Sequence, residues 1–388
     1  MKVKLGEVFE NIINGDWGDE PTGNNDIAVI RTTNFTNDGI INYNNVVYRQ
    51  IKNDAVLKKK LIYGDIIIEK SGGSDNFPVG RVVYYDRIDE IYLCNNFTSI
   101  LRTNKELVVS KYLLYLMLNL YNKGVTTKFQ NKTTGIRNLQ LTSYLTNTEI
   151  NIHDIQTQKE IVAVLDKVTS LISMRKEQLE KLDILVKSKF IEMFGDPVLN
   201  PKGWEKKKLG EVYTIISGTT PDTNEEKYWN GTNLWVTPAE LNNELYINTT
   251  ARKITDDAVK AKSLKVIPRF SVLLSSRAPI GKFAINTEDM YCNQGFKCLT
   301  NSKVLDSIYT YFYLFQRVEY IQSLGRGATF KEVSKEIVAN IDIQVPPLDL
   351  QNQFAEFVEQ VEKNREKIKS SLNQLETLYN ALMQEYFG

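Results

Sequence analysis

Histidine is almost missing from this chain. His153 is the single example in 388 residues, and the three cysteines, Cys94, Cys292 and Cys298, include no C-x-x-C pair. That inventory offers no zinc-ligand spacing and no histidine–cysteine catalytic pair. His153 stands just before a long apolar-striped segment whose second copy has Pro346 there, so it reads as a structural or surface residue. An odd cysteine count with no signal-peptide stretch at the start points to a reducing, cytoplasmic setting. Long apolar runs are missing too: the longest, Tyr112 to Leu118, is far too short to span a bilayer.

Net charge is equally scarce. The whole chain carries +1, residues 1–156 hold 18 basic against 17 acidic side chains, and residues 196–349 hold 19 against 18. Bulk charge therefore gives no nucleic-acid signal, and any such surface must come from local clustering. Ser71-Gly72-Gly73-Ser74 lacks the lysine and helix start of a phosphate-binding loop, and no Asn-Pro-Pro-Tyr or Asp-Pro-Pro-Tyr element is present. Asp65 with Glu69-Lys70 has the outline of a metal-dependent nuclease cluster. Its counterpart in the second half is Ser271 with Ser275-Ser276, so the position is repeated without the chemistry.

What the sequence does contain is a duplication. Gln158 to Gly195 maps without a gap onto Gln351 to Gly388. Alternating steps of four and three trace an apolar stripe through Ile161, Leu165, Val168, Ile172, Leu179, Leu182, Val186 and Met193, broken only by Arg175 and Lys189. The second copy reads Phe354, Val358, Val361, Ile368, Leu372, Leu375, Tyr379, Leu382 and Tyr386, broken only by Arg365. With no internal proline and no glycine before the last residue, each copy is expected to be one helix of roughly 55 Å, and the two seams to pack on each other.

The repeat continues outside the helices. Leu5-Gly6-Glu7-Val8 recurs as Leu209-Gly210-Glu211-Val212, Asp65 to Ile68 as Ser271 to Leu274, Pro78-Val79-Gly80-Arg81 as Pro279-Ile280-Gly281-Lys282, and Cys94-Asn95 as Cys292-Asn293. The changing offset places insertions between landmarks, as in one scaffold with variable loops. Strands are expected at Ile66 to Ile68, Val82 to Tyr85, Val272 to Leu274 and Phe283 to Ile285, with helices at Ser110 to Tyr121 and Asp306 to Gln322. A hydrophobic fraction of 42% is ample for packed cores in two or three domains. The breaker-rich stretch from Phe194-Gly195-Asp196-Pro197 to Trp204 marks a connector.

The polar loops read as recognition surfaces, since cations, amides and hydroxyls hold phosphates and contact base edges. The candidates are Lys70, Arg81, Lys128, Lys132, Thr133 and Arg137 in the first half, and Arg277, Lys282, Arg326, Thr329 and Lys331 in the second. No catalytic residue and no metal ligand is assigned.

Taken in order, these pieces resemble the DNA specificity subunits of type I restriction-modification systems. The resemblance rests on the twofold repeat, the Leu-Gly-Glu openings, Gly64 to Ile68, the Pro-x-Gly-Arg/Lys turns, and the glutamines starting the long helices (Gln156, Gln158, Gln351, Gln353). It rests also on the connector Met193 to Pro197 with Asn200 to Trp204. It implies an α+β fold: two tandem α/β target-recognition domains separated by two long antiparallel coiled-coil helices. The division expected is 1–156 and 207–349 for the recognition domains, 157–195 and 350–388 for the helices, and 196–206 for the connector.

The same resemblance implies a non-catalytic subunit that binds double-stranded DNA at an asymmetric two-part target. It would direct two adenine methyltransferase subunits, which would hold the S-adenosylmethionine, and restriction/translocase subunits. Ile152 to Ile155 departs from the family-like Val345 to Leu348. A non-catalytic coiled-coil adaptor with two protein-binding heads is the alternative, and a nuclease acting through Asp65 and Glu69 is a third reading.

Overall fold

Contacts in the computed structural model divide the chain into two units, Met1–Met174 with Ser371–Gly388, and Arg175–Ser370. Each long helix contributes residues to both units. The structure describes all residues except 75–76, 89, 134–135, 243, 301 and 328–330, and the side chains of Lys132 and Thr133.

The first unit runs β1 (Lys2–Lys4), β2 (Phe9–Asn14), β3 (Ile27–Ile30), β4 (Val47–Arg49), α1 (Asn53–Lys59), β5 (Ile66–Glu69), β6 (Ser71–Gly73), β7 (Val82–Tyr84), β8 (Tyr92–Cys94) and β9 (Thr98–Thr103). It continues with α2 (Ser110–Asn122), β10 (Gln130–Thr133), β11 (Ile136–Leu139), α3 (Leu141–Asn147), β12 (Glu149–Asn151) and the start of α4 (Ile155–Phe194). Its main sheet has the order β2-β9-β5-β7, and smaller sheets are β4-β3-β8, β10-β11-β6 and β1-β12.

The unbroken apolar run Ile66-Ile67-Ile68 makes sense on this sheet. Successive side chains of a strand point to opposite faces, so a strand covered on both sides is apolar throughout. Ile66 and Ile68 enter the core beneath α2, with Leu101, Tyr112 and Leu113, while Ile67 enters the core shared with Ile30, Tyr92 and Cys94 of the small sheet. Ile161 and Leu165 of α4 and Met383 near the chain end join the first of these cores.

The second unit repeats the plan: β13 (Glu205–Lys208), α5 (Leu209–Val212), β14 (Thr214–Ser217), β15 (Trp229–Val236), β16 (Tyr246–Ile247), β17 (Arg252–Ile254), α6 (Asp256–Lys262), β18 (Val272–Ser275), β19 (Phe283–Asn286), β20 (Tyr291–Cys292) and β21 (Phe296–Thr300). Then come α7 (Ser307–Phe315), α8 (Val318–Ser323), α9 (Lys335–Ala339), β22 (Asp342–Val345) and α10 (Leu348–Phe387). The sheets are β14-β21-β18-β19-β16, β17-β15-β20 and β13-β22. Leu273 faces the small sheet's core, and Val272 and Leu274 face α7, as in the first unit. The single helix expected from Asp306 to Gln322 is two: α7 ends at Phe315, and Arg317, with non-helical backbone, turns its guanidinium onto the Asp342 carbonyl at 2.7 Å.

Each long helix has 40 residues, roughly 60 Å at 1.5 Å per residue. Asp154 caps α4, its carboxylate accepting from the backbone N–H groups of Gln156 and Thr157 and from the Thr157 hydroxyl. Gly195, at φ +81°, takes the left-handed turn that ends it, and the Trp204 indole N–H caps the Phe194 carbonyl at 2.8 Å.

Within the second unit the two helices run antiparallel, since Phe190 and Phe194 meet Phe354 while Asp183 meets Arg365. All the expected seam residues are buried or half-buried, but the stripe drifts. Phe190 and Phe194 are fully buried where the heptad steps had placed Lys189 and Met193, and Met383 is more deeply buried than Leu382. A helix of 3.6 residues per turn rotates about 20° per heptad away from a strict seven-residue repeat, and at their ends these helices pack on sheet-and-helix cores. Arg365 bridges Asp183 and Glu362, and Arg175 donates to Gln178 on its own helix.

Candidate nucleic-acid interface

Both units hang on a buried glutamine. The Gln158 amide donates to the carbonyls of Leu107 (3.1 Å) and His153 (2.8 Å) and accepts from the Val109 N–H (2.8 Å). Gln351 donates to Val304 (3.0 Å) and Pro346 (2.8 Å) and accepts from the Asp306 N–H (2.8 Å). Each ties the start of a long helix to the start of the helix that follows the main sheet. Gly15 and Gly218 repeat as well: a Cβ on either would lie within 2.0 Å of a backbone oxygen, that of Asn95 or Asn293, so each is a close backbone approach that only glycine fits.

On this common frame the loops differ. In the first unit β6 pairs with β11, which brings the Ser71–Gly73 strand and the Gln130–Leu139 hairpin into one small sheet. Lys128 is exposed just before that hairpin. Arg137 is half-buried on β11 and already partnered. Lys132 and Thr133 sit on β10, with side chains outside the described residues. Lys70 Nζ donates to Asn14 Oδ1 at 2.8 Å in a cleft of about 600 Å³ that Thr142 and Thr146 also line, and burial pulls its pKa below the usual lysine range.

Arg81, another of the DNA-contacting candidates, is engaged inside the unit. Its guanidinium grips Glu69 through two bonds of 3.0 and 2.9 Å and reaches the carbonyls of Thr32 and Phe35, and the Glu69 pairing raises its pKa further. It holds the fold. Asp65 is likewise clasped by Arg102 through two bonds of 2.9 Å. Both carboxylates of the nuclease-like outline are thus neutralised by arginine. Among the described residues no group of three or more His, Cys, Asp or Glu is arranged to hold a metal.

In the second unit Glu332 is the organiser. It accepts from Arg277 Nε (3.0 Å) and Lys297 Nζ (3.3 Å), and its backbone bridges both Arg277 and Arg326. These two partners hold its pKa below the usual range although burial opposes them. The Arg277 and Arg326 loops are therefore brought together, with Lys331 exposed beside them. Thr329 lies outside the described residues. Lys282, by contrast, turns inward and donates to the Leu241 carbonyl at 2.7 Å.

The sequence matches the type I restriction modification DNA specificity domain over residues 1–183 and again over 201–377. The chain belongs to this family.

Relatives of this specificity subunit include the MjaIX specificity subunit of Methanocaldococcus jannaschii, 33% identical over 192 residues, which are 48% of this chain and 44% of that protein. The putative MjaX specificity subunit of the same organism is 26% identical across 83% of this chain and 80% of its own length. The chain thus spans less than half of the first relative and four-fifths of the second. In fold it is similar to the S subunit of a type I system from M. genitalium (14% identity, TM-score 0.64, covering 100% of this chain and 96% of that one). A chain from a study of complex assembly and conformational transition of the type I R-M system gives 19% identity and TM-score 0.57, covering 100% and 97%. Specificity subunits are the non-catalytic members of such systems, consistent with arginine-clasped carboxylates at Asp65 and Glu69.

Two features of the specificity subunit escaped the sequence reading. Lysine and serine exchange places across the central strand pair: Lys70 follows β5 and Ser99 lies on β9, whereas Ser276 follows β18 and Lys297, buried at 5% exposure, lies on β21. Either way one ammonium sits at the same end of the sheet, donating to Asn14 or to Ser276. The second feature is a repeat of Arg-x-Ile with Asp-Ala-Val behind it, at Arg49-Gln50-Ile51 with Asp54-Ala55-Val56 and at Arg252-Lys253-Ile254 with Asp257-Ala258-Val259. Both arginines lie over an indole, Arg49 on Trp17 at 4.5 Å and Arg252 on Trp229 at 3.5 Å. The spacing matches that of Gly15 and Gly218, which was the available signal. No helix among the described residues is long and apolar enough to cross a membrane.

Proposed function

We propose that this specificity subunit reads an asymmetric, two-part sequence in double-stranded DNA, one segment per unit, and delivers adenine methyltransferase subunits to it. One observation carries the reading: the frame at Gln158 and Gln351 is repeated bond for bond, whereas the loops that frame presents are unlike, with a β10–β11 hairpin in one unit and an Arg277–Glu332–Arg326 cluster in the other. A repeated frame with divergent loops is what two readers of two different half-sites require.

The long helices are the ruler of this proposal: a DNA turn is about 34 to 36 Å, and each helix of 40 residues is roughly 60 Å, longer than one turn. Ile184, Leu185 and Ile191 are exposed on α4, and such apolar side chains suit docking of a methyltransferase subunit. Two such subunits would hold the S-adenosylmethionine, and restriction/translocase subunits would join for cleavage in the cytoplasm. A near-neutral subunit then relies on these partners for much of its grip on phosphate.

Selection from a random duplex library by the assembled complex tests this. The expected product is two fixed segments around a constant gap, and the gap changes, or binding is lost, when seven residues are removed from one long helix. An unchanged gap with full binding would remove the ruler. Absence of DNA retention at any salt concentration would favour the protein-binding adaptor instead.

A further inference from the structure

We infer that Arg252 is a base-reading residue of the second unit, presenting its guanidinium fork to the O6 and N7 acceptors of one guanine; this rests on the DNA-reading function proposed above. Arg252 starts β17, directly across from Trp235 on β15. Its guanidinium carbon lies 3.5 Å from the centre of the Trp229 ring and 5.5 Å from that of Trp235, and the two indoles pack edge to face at 5.1 Å. Trp229 and Trp235 are buried, so this platform is rigid. Arg252 itself is exposed, and among the described residues no carboxylate or carbonyl accepts from its guanidinium. The result is a planar cation held by its face with its in-plane N–H groups unoccupied, at the edge of a cleft of about 550 Å³ also lined by Thr223, Asn230, Lys253 and Glu226. A stacked, pre-oriented fork is suited to bidentate pairing with two coplanar acceptors.

Two ligands of DNA present such acceptors, the phosphate group and the major-groove edge of guanine. The comparison between units decides for the base. In the first unit Arg49 also lies on an indole, but it is buried, bonded to Glu20 at 2.8 Å and to the Trp17 carbonyl at 3.3 Å. A phosphate contact is independent of sequence and would serve both readers alike. A donor fork closed off in one unit and open in the other is what two readers of unlike segments need. The cleft also connects to the cationic loops: the Trp229 indole N–H donates to the Asp222 carbonyl, Thr220 of the same loop bonds Gln294, and Ser276, beside Arg277, bonds Gly295 in that turn.

The test uses the full-length subunit assembled with its methyltransferase subunits, carrying Arg252→Lys or Arg252→Ala. Binding is titrated, at several salt concentrations, against duplexes in which each base pair of the selected target is changed in turn. Arg252→Lys, which keeps the charge and the cover over Trp229, is expected to weaken binding to the selected target roughly ten- to hundredfold. It is expected to erase discrimination at one G·C pair and to leave the salt slope unchanged. Equal weakening against every duplex, with a salt slope shallower by about one in Arg252→Ala, would make Arg252 a phosphate contact and overturn the inference. Unchanged binding with a lowered melting temperature would reduce it to a lid on Trp229 and also overturn it. If the unaltered complex shows no sequence preference, the DNA-reading function itself falls, a result distinct from either of these.

Discussion

Gln158 and Gln351 make the same three hydrogen bonds, each with its side chain fully buried, and each joins the first turn of a long helix to the backbone just before the helix that covers its sheet. Replacing either by leucine removes all three bonds and leaves two carbonyls and one N–H buried without partners. The expected cost is about 2 to 4 kcal/mol for each variant, read by chemical denaturation. A loss below about 1 kcal/mol would show that water replaces the amide and that the glutamines do not fasten the frame.

Gly15 and Gly218 set a second equivalent pair against each other. Alanine at either puts a Cβ within 2.0 Å of backbone oxygen, which no side-chain rotation relieves, so both variants should lose at least about 2 kcal/mol. Gly23→Ala is the control: its φ of +85° strains alanine, but no atom lies within 4 Å of the added Cβ, and the loss should be nearer 1 kcal/mol. Losses at Gly15 and Gly218 no larger than that at Gly23 would show that the backbone relaxes around the added Cβ and that close approach does not fix these glycines.

Glu149 gives a pH-dependent signature. Hydrogen bonds and attraction from Lys2 and Lys4, across the β1–β12 pair, lower its carboxyl from the ordinary 4.5 to about 2. A carboxyl depressed in the folded state stabilises above its unfolded value and loses that contribution as pH falls through its folded value. The stability difference between the native chain and Glu149→Gln should therefore be present above pH 4.5 and vanish by about pH 2. It should also shrink in high salt, since the pair is solvent-facing. A difference that grows on acidification would contradict this assignment.

The Arg365–Asp183 bridge joins the two long helices at 2.7 Å, but Asp183 is 70% exposed. Asp183→Ala should cost less than about 1 kcal/mol, because Arg365 keeps Glu362 and solvent screens the pair. A larger loss in thermal or chemical denaturation would give this polar break in the seam a structural weight that its exposure argues against.

The parts of this structure set by periodicity were readable in advance. Ile66-Ile67-Ile68 announced a strand, the four-three stripe announced the long helices, and the shared glutamines and glycines announced the duplication. What stayed hidden depended on partners far apart in sequence. Nothing near Arg81 or Lys282 shows that Glu69 and the Leu241 carbonyl hold them inward, so both passed for surface cations. Phe190 and Phe194 were displaced from the seam because a strict heptad template ignores the 3.6-residue turn. Lys297 gave no repeat signal because its spatial counterpart, Lys70, follows the neighbouring strand. The Arg49 and Arg252 repeat is present in the sequence, but its indoles come from different segments, a loop in one unit and β15 in the other.

The most direct measurement is a methylome: the subunit is expressed with the proposed methyltransferase partner in a host lacking both, and modified adenines are mapped genome-wide. The expected result is one motif of two different fixed segments separated by a constant number of unread bases. Methylation at a single continuous or palindromic site, or with a gap that varies from site to site, would contradict a pair of unlike readers set on a fixed ruler.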